Sequence, residues 1–316
     1  MLVAACGGQE GDPGQGEDTV SITFSLDFAY DGLHSPFVVA QEKGWYDEAG
    51  LDVTIQPSGG SQDSLTRIAT GAAELGVVSS SVALTGIANE QHPVKVVSML
   101  LQHDAAATQV RKELNVSTPA ELVGHTVATP PASALDQFFP ALLDLNDVDL
   151  AEVEQIAINP AAAKQTLLGG QVDATNIFGP VFADVLDQVD NLYWYEFGLD
   201  IYGSTISANT DFLAENPQAV EGFLAASMRG VEYVMDNPDE AGELIAERAE
   251  GDPEFFRAEV EEFLQFYDPS AAPEGPGTMD EAKWQDTQEL NVEYGAQERE
   301  VSLDEVYTNE FLTGQS

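Results

Sequence analysis

Apolar and polar residues alternate from Val20 to Leu26 (VSITFSL), the period of a strand with one face buried. An irregular stretch, Asp27 to Ser35, follows. Pro36 suits the first turn of a helix, where its missing N–H would have no partner. That helix runs from Phe37 to Lys43 and stops at Gly44, a natural C-cap. Gly50 turns the chain into a second strand, Leu51 to Ile55. The loop 27–35 therefore sits at the carboxyl end of the first strand, where open α/β sheets bind their ligands.

The same grammar recurs downstream. Gly59-Gly60-Ser61-Gln62 opens a helical run from Asp63 to Thr70. Its free backbone N–H groups could cradle an anion or a polar group; a plain tight turn with Ser61 as N-cap fits the same residues. A short buried strand then leads into Ser79-Ser80-Ser81 and a helix from Val82 to Asn89, and 93–101 (PVKVVSMLL) reads as another buried strand. After Gln102-His103-Asp104 the pattern begins again. A strand at 125–128 precedes the loop Thr129 to Ala134 and a helix from Leu135 to Leu145. Strand 153–158, helix 161–168 and strand 171–178 follow, the last delivering Asn176 to Pro180 to the same face. Residues 192–197 are aromatic and strand-like, and 200–207 reads as a return crossing that carries Tyr202. From Phe212 the chain is helical, with Val220, Phe223, Leu224, Met228, Val231 and Val234 forming a core-facing stripe. His103 and His125 read as hinge or surface residues. No His, Cys or carboxylate pair has a metal-ligand spacing.

Charge changes this picture. Against 11 Lys+Arg stand 55 Asp+Glu, a formal net charge of −44 in 316 residues. Such a field opposes nucleic acid, whose binding depends on Lys and Arg neutralising phosphates, and equally an anionic membrane face. It reads as a solvated acidic surface of the kind suited to high salt. The single cysteine, Cys6, leaves no disulfide framework and no two-thiol zinc site. Its context, Leu2-Val3-Ala4-Ala5-Cys6-Gly7-Gly8, resembles the end of a bacterial lipoprotein signal; an ordinary cysteine fits the same residues. On the lipid reading, 7–19 is a polar tether. The protein is then extracytoplasmic, anchored to the outer face of the cell membrane or periplasmic, and meets the membrane only through its lipid. No apolar run reaches the roughly 18 residues that a spanning helix needs.

Several stretches resemble one family. LDFAYDGLHSPFVVAQEKGWYDEAGLDV (26–53), the Gly71…Glu74…Gly76…Ser79 phrase, STPAELVG (117–124), GGQVDATN (169–176) and the ENP…NPDEA pair around 217 and 238 are similar to the NMT1/THI5-like solute-binding proteins. That group serves nitrate, sulfonate, taurine and thiamine-precursor importers. Glu74 stands where the family usually has Asp. The resemblance implies an α/β, two-lobed, periplasmic-binding-protein-like (type II) fold with a ligand cleft between lobes joined by two crossings. One lobe would comprise 20–103 plus 200–316 and the other 104–199, with 1–19 a signal remnant and tether. It further implies capture of a small molecule by hinge closure, delivery to the permease and ATPase of an ABC importer, a monomer, and no cofactor.

The loops expected to line that cleft carry Asp27, Tyr30, Asp31, His34, Gly60, Ser61, Gln62, Ser79, Ser80, Ser81, Ser133, Asp136, Asn176, Phe178 and Tyr202. No Lys or Arg lies among them. Acids with aromatics suit a nitrogen heterocycle or amine, thiamine-pyrimidine-like or flavin-like, whose N–H groups a carboxylate accepts and whose ring stacks. The alternative is a small anion (sulfonate, taurine or nitrate) held by backbone amides. An enzyme is the alternative of another class, since the family name also covers a thiamine-pyrimidine synthase that consumes its own histidine and carries a cysteine-rich iron motif. Ser79-Ser80-Ser81-Val82 has no histidine and Cys6 is the only cysteine, so a non-enzymic binding protein is expected. No nucleophile elbow, GxxxxGK[ST] or HExxH motif is present.

Overall fold

The computed structural model describes residues 19–131, 133–267 and 272–312; Cys6 and nearly all of the expected tether lie outside them. The alternating run becomes β1 (Val20–Ser25), followed by β2 (Leu51–Gln56), β3 (Leu75–Ser79) and β4 (Val94–Met99). A second set comprises β5 (Ala106–Arg111), β6 (Thr126–Thr129), β7 (Glu154–Ala157), β8 (Ala174–Phe178) and β9 (Val189–Tyr193), and β10 (Ser204–Asn209) completes the first. The two sheets have matching orders, β2-β1-β3-β10-β4 and β7-β6-β8-β5-β9.

In each sheet three neighbouring strands run parallel, and the strand that enters from the other sheet runs against them. Thus β10 is antiparallel to β3 and β4, and β5 to β8 and β9. The chain crosses from Met99 to Ala106 and returns from Tyr193 to Ser204. This is the two-lobed α/β architecture, with loops from the carboxyl ends of the parallel strands facing a common cleft.

The helices cover both faces of the sheets. On the first lie α1 (Ser35–Glu42), α2 (Trp45–Glu48), α3 (Ser61–Ala69) and α4 (Ser80–Glu90); on the second, α5 (Ala134–Leu145) and α6 (Ala163–Leu168). Then come α7 (Thr210–Glu215), α8 (Pro217–Asp236), α9 (Pro238–Ala249), α10 (Pro253–Phe263), α11 (Glu281–Glu293) and α12 (Leu303–Val306). Pro opens α8, α9 and α10, because it disfavours helix in the residue before it yet fits the first turn. The stripe of α8 packs as read: Phe223 meets Phe24 at 4.9 Å and stacks on Tyr46 at 5.1 Å.

One device is repeated in the two lobes. Glu74, just before β3, accepts the Thr23 N–H at 2.7 Å; Asp173, just before β8, accepts the Thr126 N–H at 3.0 Å. Each acid follows a left-handed glycine, Gly71 or Gly170. Glutamate at 74 therefore does the work its shorter counterpart does in the second lobe.

Two elements differ from expectation. Residues 194–197 form a helical turn, and the strand beside them is β9, beginning at Val189. The sequence pattern gave no sign of β5, although it is the strand between β8 and β9. Among the described residues no helix is long and apolar enough to cross a membrane, and no group of three or more His, Cys, Asp or Glu could hold a metal ion.

Candidate functional site

The Asp27–His34 loop is built around a buried imidazole. His34 is fully buried; Nε2 lies 2.9 Å from Asp27 Oδ1 and Nδ1 lies 2.9 Å from Asp31 Oδ1. Burial alone would lower its pKa, but the Asp31 and Asp27 carboxylates outweigh that and raise it to about 10. The Asp31 N–H, 3.3 Å from Nδ1, is a contact that only a neutral ring could accept; the two carboxylates decide for the charged one. His34 therefore orients Asp27 and Asp31 and offers no atom to a ligand. Asp31 also caps the following turn through the Leu33 N–H at 3.1 Å.

Ser61 connects this loop to the serine loop. Gly60, with φ of 139°, takes the N-cap position of α3. The Ser61 hydroxyl is thus released to donate to Asp27 Oδ2 (3.4 Å) and accept from the Ser79 N–H (3.1 Å). Gln62 stands exposed on the same turn. Tyr30 points away, its hydroxyl donating to the Ile55 carbonyl on the β2 side.

Between the lobes is a pocket of about 40 Å³. Ser79 and Ser81 line it from the start of α4; Ala134, Leu135 and Phe138 from the start of α5; Phe178 from the end of β8. The two crossings close it, Asp104 and Ala106 from one and Trp194, Leu199 and Ile201 from the other. Asp104 Oδ1 accepts the Ala106 N–H at 2.8 Å, and no other group among the described residues bonds its carboxylate. Burial raises its pKa to about 6 despite that N–H. No Lys or Arg lines the pocket.

Several expected residues turn inward instead. Ser80 donates to the Tyr202 carbonyl, which ties β3 to the second crossing. Asn176 is spent inside the second sheet, accepting from Thr108 Oγ1 at 2.7 Å and donating to Thr129 Oγ1 at 2.8 Å. The Tyr202 ring is fully buried against Trp284, 5.2 Å between centroids, and its hydroxyl accepts the Asp280 N–H at 2.7 Å; it is core at the crossing, with no face for a ligand. Ser133 caps α5, accepting the Asp136 N–H and donating to the Pro130 carbonyl, while Asp136 is exposed in that first turn.

Of the pocket's lining residues the sequence points to Ser79, Ser81 and Phe178; Asp104, Phe138 and Trp194 are among those it does not. The available signal was the break after Gln102, which puts Asp104 on a crossing between the two lobes. Phe138 lies one turn beyond Leu135, on the face that α5 presents at its start. Phe178, 45% exposed, and Phe28, 59% exposed on the loop after β1, are the large aromatics exposed among the described residues.

The family model described as NMT1/THI5 like matches residues 32–241. The riboflavin-binding protein RibY of Chloroflexus aurantiacus is 27% identical over 323 aligned residues, covering 93% of this chain and 87% of that protein. The formylaminopyrimidine-binding protein of Halalkalibacterium halodurans is 23% identical, covering 90% and 88%. A 4-amino-5-hydroxymethyl-2-methylpyrimidine phosphate synthase of Legionella pneumophila is 23% identical over 72% of this chain and 73% of its own. Relatives at this level are mostly named binding proteins. Among solved structures, the periplasmic aliphatic sulphonate binding protein SsuA of Escherichia coli superposes with a TM-score of 0.74 at 16% identity, covering 93% and 99% of the two chains. That likeness concerns the fold.

Proposed function

Since this chain belongs to the NMT1/THI5-like family, we propose that it is an extracytoplasmic solute-binding protein of an ABC importer whose ligand is a planar nitrogen heterocycle or amine. The observation that carries the ligand class is the pocket itself: a carboxyl, two serines and three aromatic side chains, without a cation. Asp104 would accept a ligand N–H, and Phe138, Phe178 and Trp194 would supply ring contacts. The names of RibY and of the formylaminopyrimidine-binding protein support the same class. A pocket of about 40 Å³ is far smaller than the several hundred Å³ of ordinary ligand sites, so ligand entry requires the lobes to part and close again about the crossings. The proposed lobes are 20–103 with 200–316, and 104–199. Cys6 would carry the lipid, the protein would act as a monomer, and it would catalyse nothing.

A small anion is the second reading, favoured by the starts of α4 and α5, which both reach the pocket. Helix N-termini contribute about 0.3–1 kcal/mol each to an anion. An ionised carboxylate about 5 Å away opposes it by roughly 3 kcal/mol at an effective dielectric of 20. Asp104 therefore tips the balance toward donors. The test is a thermal-shift and fluorescence-quenching titration in high salt with riboflavin, formylaminopyrimidine, an alkanesulfonate and nitrate. A saturable rise in melting point with a heterocycle and with neither anion is expected; a rise with the anions alone would replace the heterocycle by the second reading.

A further inference from the structure

A second cavity, larger than the one in the cleft, lies elsewhere on the molecule. About 290 Å³ on the first lobe is bounded by α8, by the chain that runs from the end of β4 toward the first crossing, and by a third wall that includes Tyr267, Ala272, Pro276 and Gly277. Three methionines line it, Met99, Met228 and Met235, all among the five in the chain. Gln102 forms part of its wall. This side chain is 2% exposed, its Nε2 donates to the Thr278 carbonyl at 3.3 Å, and its Oε1 is buried without a hydrogen-bond partner. A buried amide oxygen left unmatched costs about 1–3 kcal/mol, so a donor that reaches it gains accordingly. Glu232 and Asp236, exposed in the last turns of α8, line it as well, and no Lys or Arg does.

We propose that this cavity is a second ligand site, one that takes a small apolar molecule with a protonated amine at one end and a hydrogen-bond donor at the other. The ammonium meets Glu232 and Asp236 at the mouth. The body packs against the thioethers, which adapt to a ring because methionine is unbranched and polarizable. The donor reaches Gln102 Oε1. Taking about 30 Å³ per water-sized unit, the space holds roughly ten non-hydrogen atoms, the size of a hydroxyaryl-ethylamine. The site is independent of the cleft, with which it shares no lining residue.

Tyramine is the probe, added at millimolar concentration to protein labelled at its methionine methyl groups and observed by NMR, with resonances assigned by single Met→Leu variants. The Met99, Met228 and Met235 signals should move saturably, and equally in Asp104→Asn, which alters only the cleft. Phenethylamine, lacking the hydroxyl, should bind roughly tenfold more weakly, and 3-(4-hydroxyphenyl)propanoate should leave the three signals in place. Gln102→Leu should reduce tyramine to the phenethylamine level; should that variant fail to fold, the comparison of the two amines on the parent protein decides the same point. Three unmoved methionine signals, or equal shifts with the propanoate, would overturn the proposal.

Discussion

His34 and Asp104 both have raised pKa values, with their charged forms favoured in the one case and penalised in the other. The folded pKa of His34, about 10, exceeds the ordinary value of 6.5, so its stabilisation is complete below about pH 6.5 and disappears as pH rises through about 10. His34→Gln should cost about 2–4 kcal/mol at pH 6, a range reduced from that of fully buried pairs because both carboxylates are partly exposed. The gap between the urea midpoints of variant and parent should narrow toward pH 10; a constant gap would rule out the charged ring. Asp104 behaves conversely. Its folded pKa is also raised, but for a carboxylate that means stability falls as pH rises from about 4 through about 6. One pKa unit is worth about 1.4 kcal/mol, so the penalty at neutral pH is at most about 3 kcal/mol and less with partial exposure. Asp104→Asn should melt at the same or a higher temperature than the parent at pH 7 while binding a heterocycle about 10- to 100-fold more weakly. Unchanged binding would remove Asp104 from the site. Sequence revealed where these loops lie, since strand ends and helix starts are periodic signals. It could not show which way each side chain turned: His34, Asn176 and Tyr202 became interior partners because neighbouring chain supplied their hydrogen bonds, a fact of packing with no local pattern.

At the scale of elements, the strands that announced themselves were those with alternating or continuous aliphatic residues, such as β1, β2 and β4. Ala106-Ala107-Thr108-Gln109-Val110-Arg111 has neither pattern, yet as β5 it is paired on both sides and buried from Ala106 to Val110. Its buried polar side chains find their partners in distant chain: Thr108 Oγ1 donates to Asn176 and accepts from Trp194 Nε1 at 3.0 Å, and Gln109 Nε2 donates to the Ile177 carbonyl, while Gln109 Oε1 is left without a partner among the described residues. A strand whose partners lie this far along the chain is invisible to propensity. Helices were easier, because Pro and Asn mark their starts and the stripe of α8 marks its buried face. The closest helix contact was still hidden, since Gly230 of α8 rests on the backbone of α1 and a Cβ there would lie 2.2 Å from the Pro36 carbonyl oxygen. Gly230→Ala must therefore push α8 off α1, with a destabilisation of about 1–3 kcal/mol or somewhat more, read as a lower urea midpoint with an unchanged slope. If helix propensity governed instead, Ala would stabilise by up to about 1 kcal/mol, so the sign of the change separates the two effects.

For the molecule as a whole, charge is the property most legible in the sequence and least visible in any single contact. The ion pairs among the described residues, such as Lys43–Glu240, Arg229–Glu48 and Arg248–Glu42, lie largely at the surface, where each is worth about 0–1 kcal/mol. The 55 acids outnumber the 11 Lys+Arg fivefold, so most of them cannot be neutralised by a basic side chain. Added salt therefore acts in two directions: it screens away a few kcal/mol of attraction and relieves the repulsion of a net charge of −44. The second effect involves several times more charges and should dominate. Screening has its own signature, since the Debye length falls from about 30 Å at 0.01 M to about 3 Å at 1 M, so most of the gain arrives early. Salting-out of apolar surface, by contrast, continues to grow at high concentration. The melting temperature in potassium chloride should climb steeply over the first few tenths molar and then flatten. Replacing about ten exposed acids by Asn or Gln away from both pockets should raise the low-salt value and shrink that climb. A flat or falling curve, or a climb that the neutralised variant retains in full, would mean that the acidic surface imposes no cost on folding and that its role lies in solubility alone.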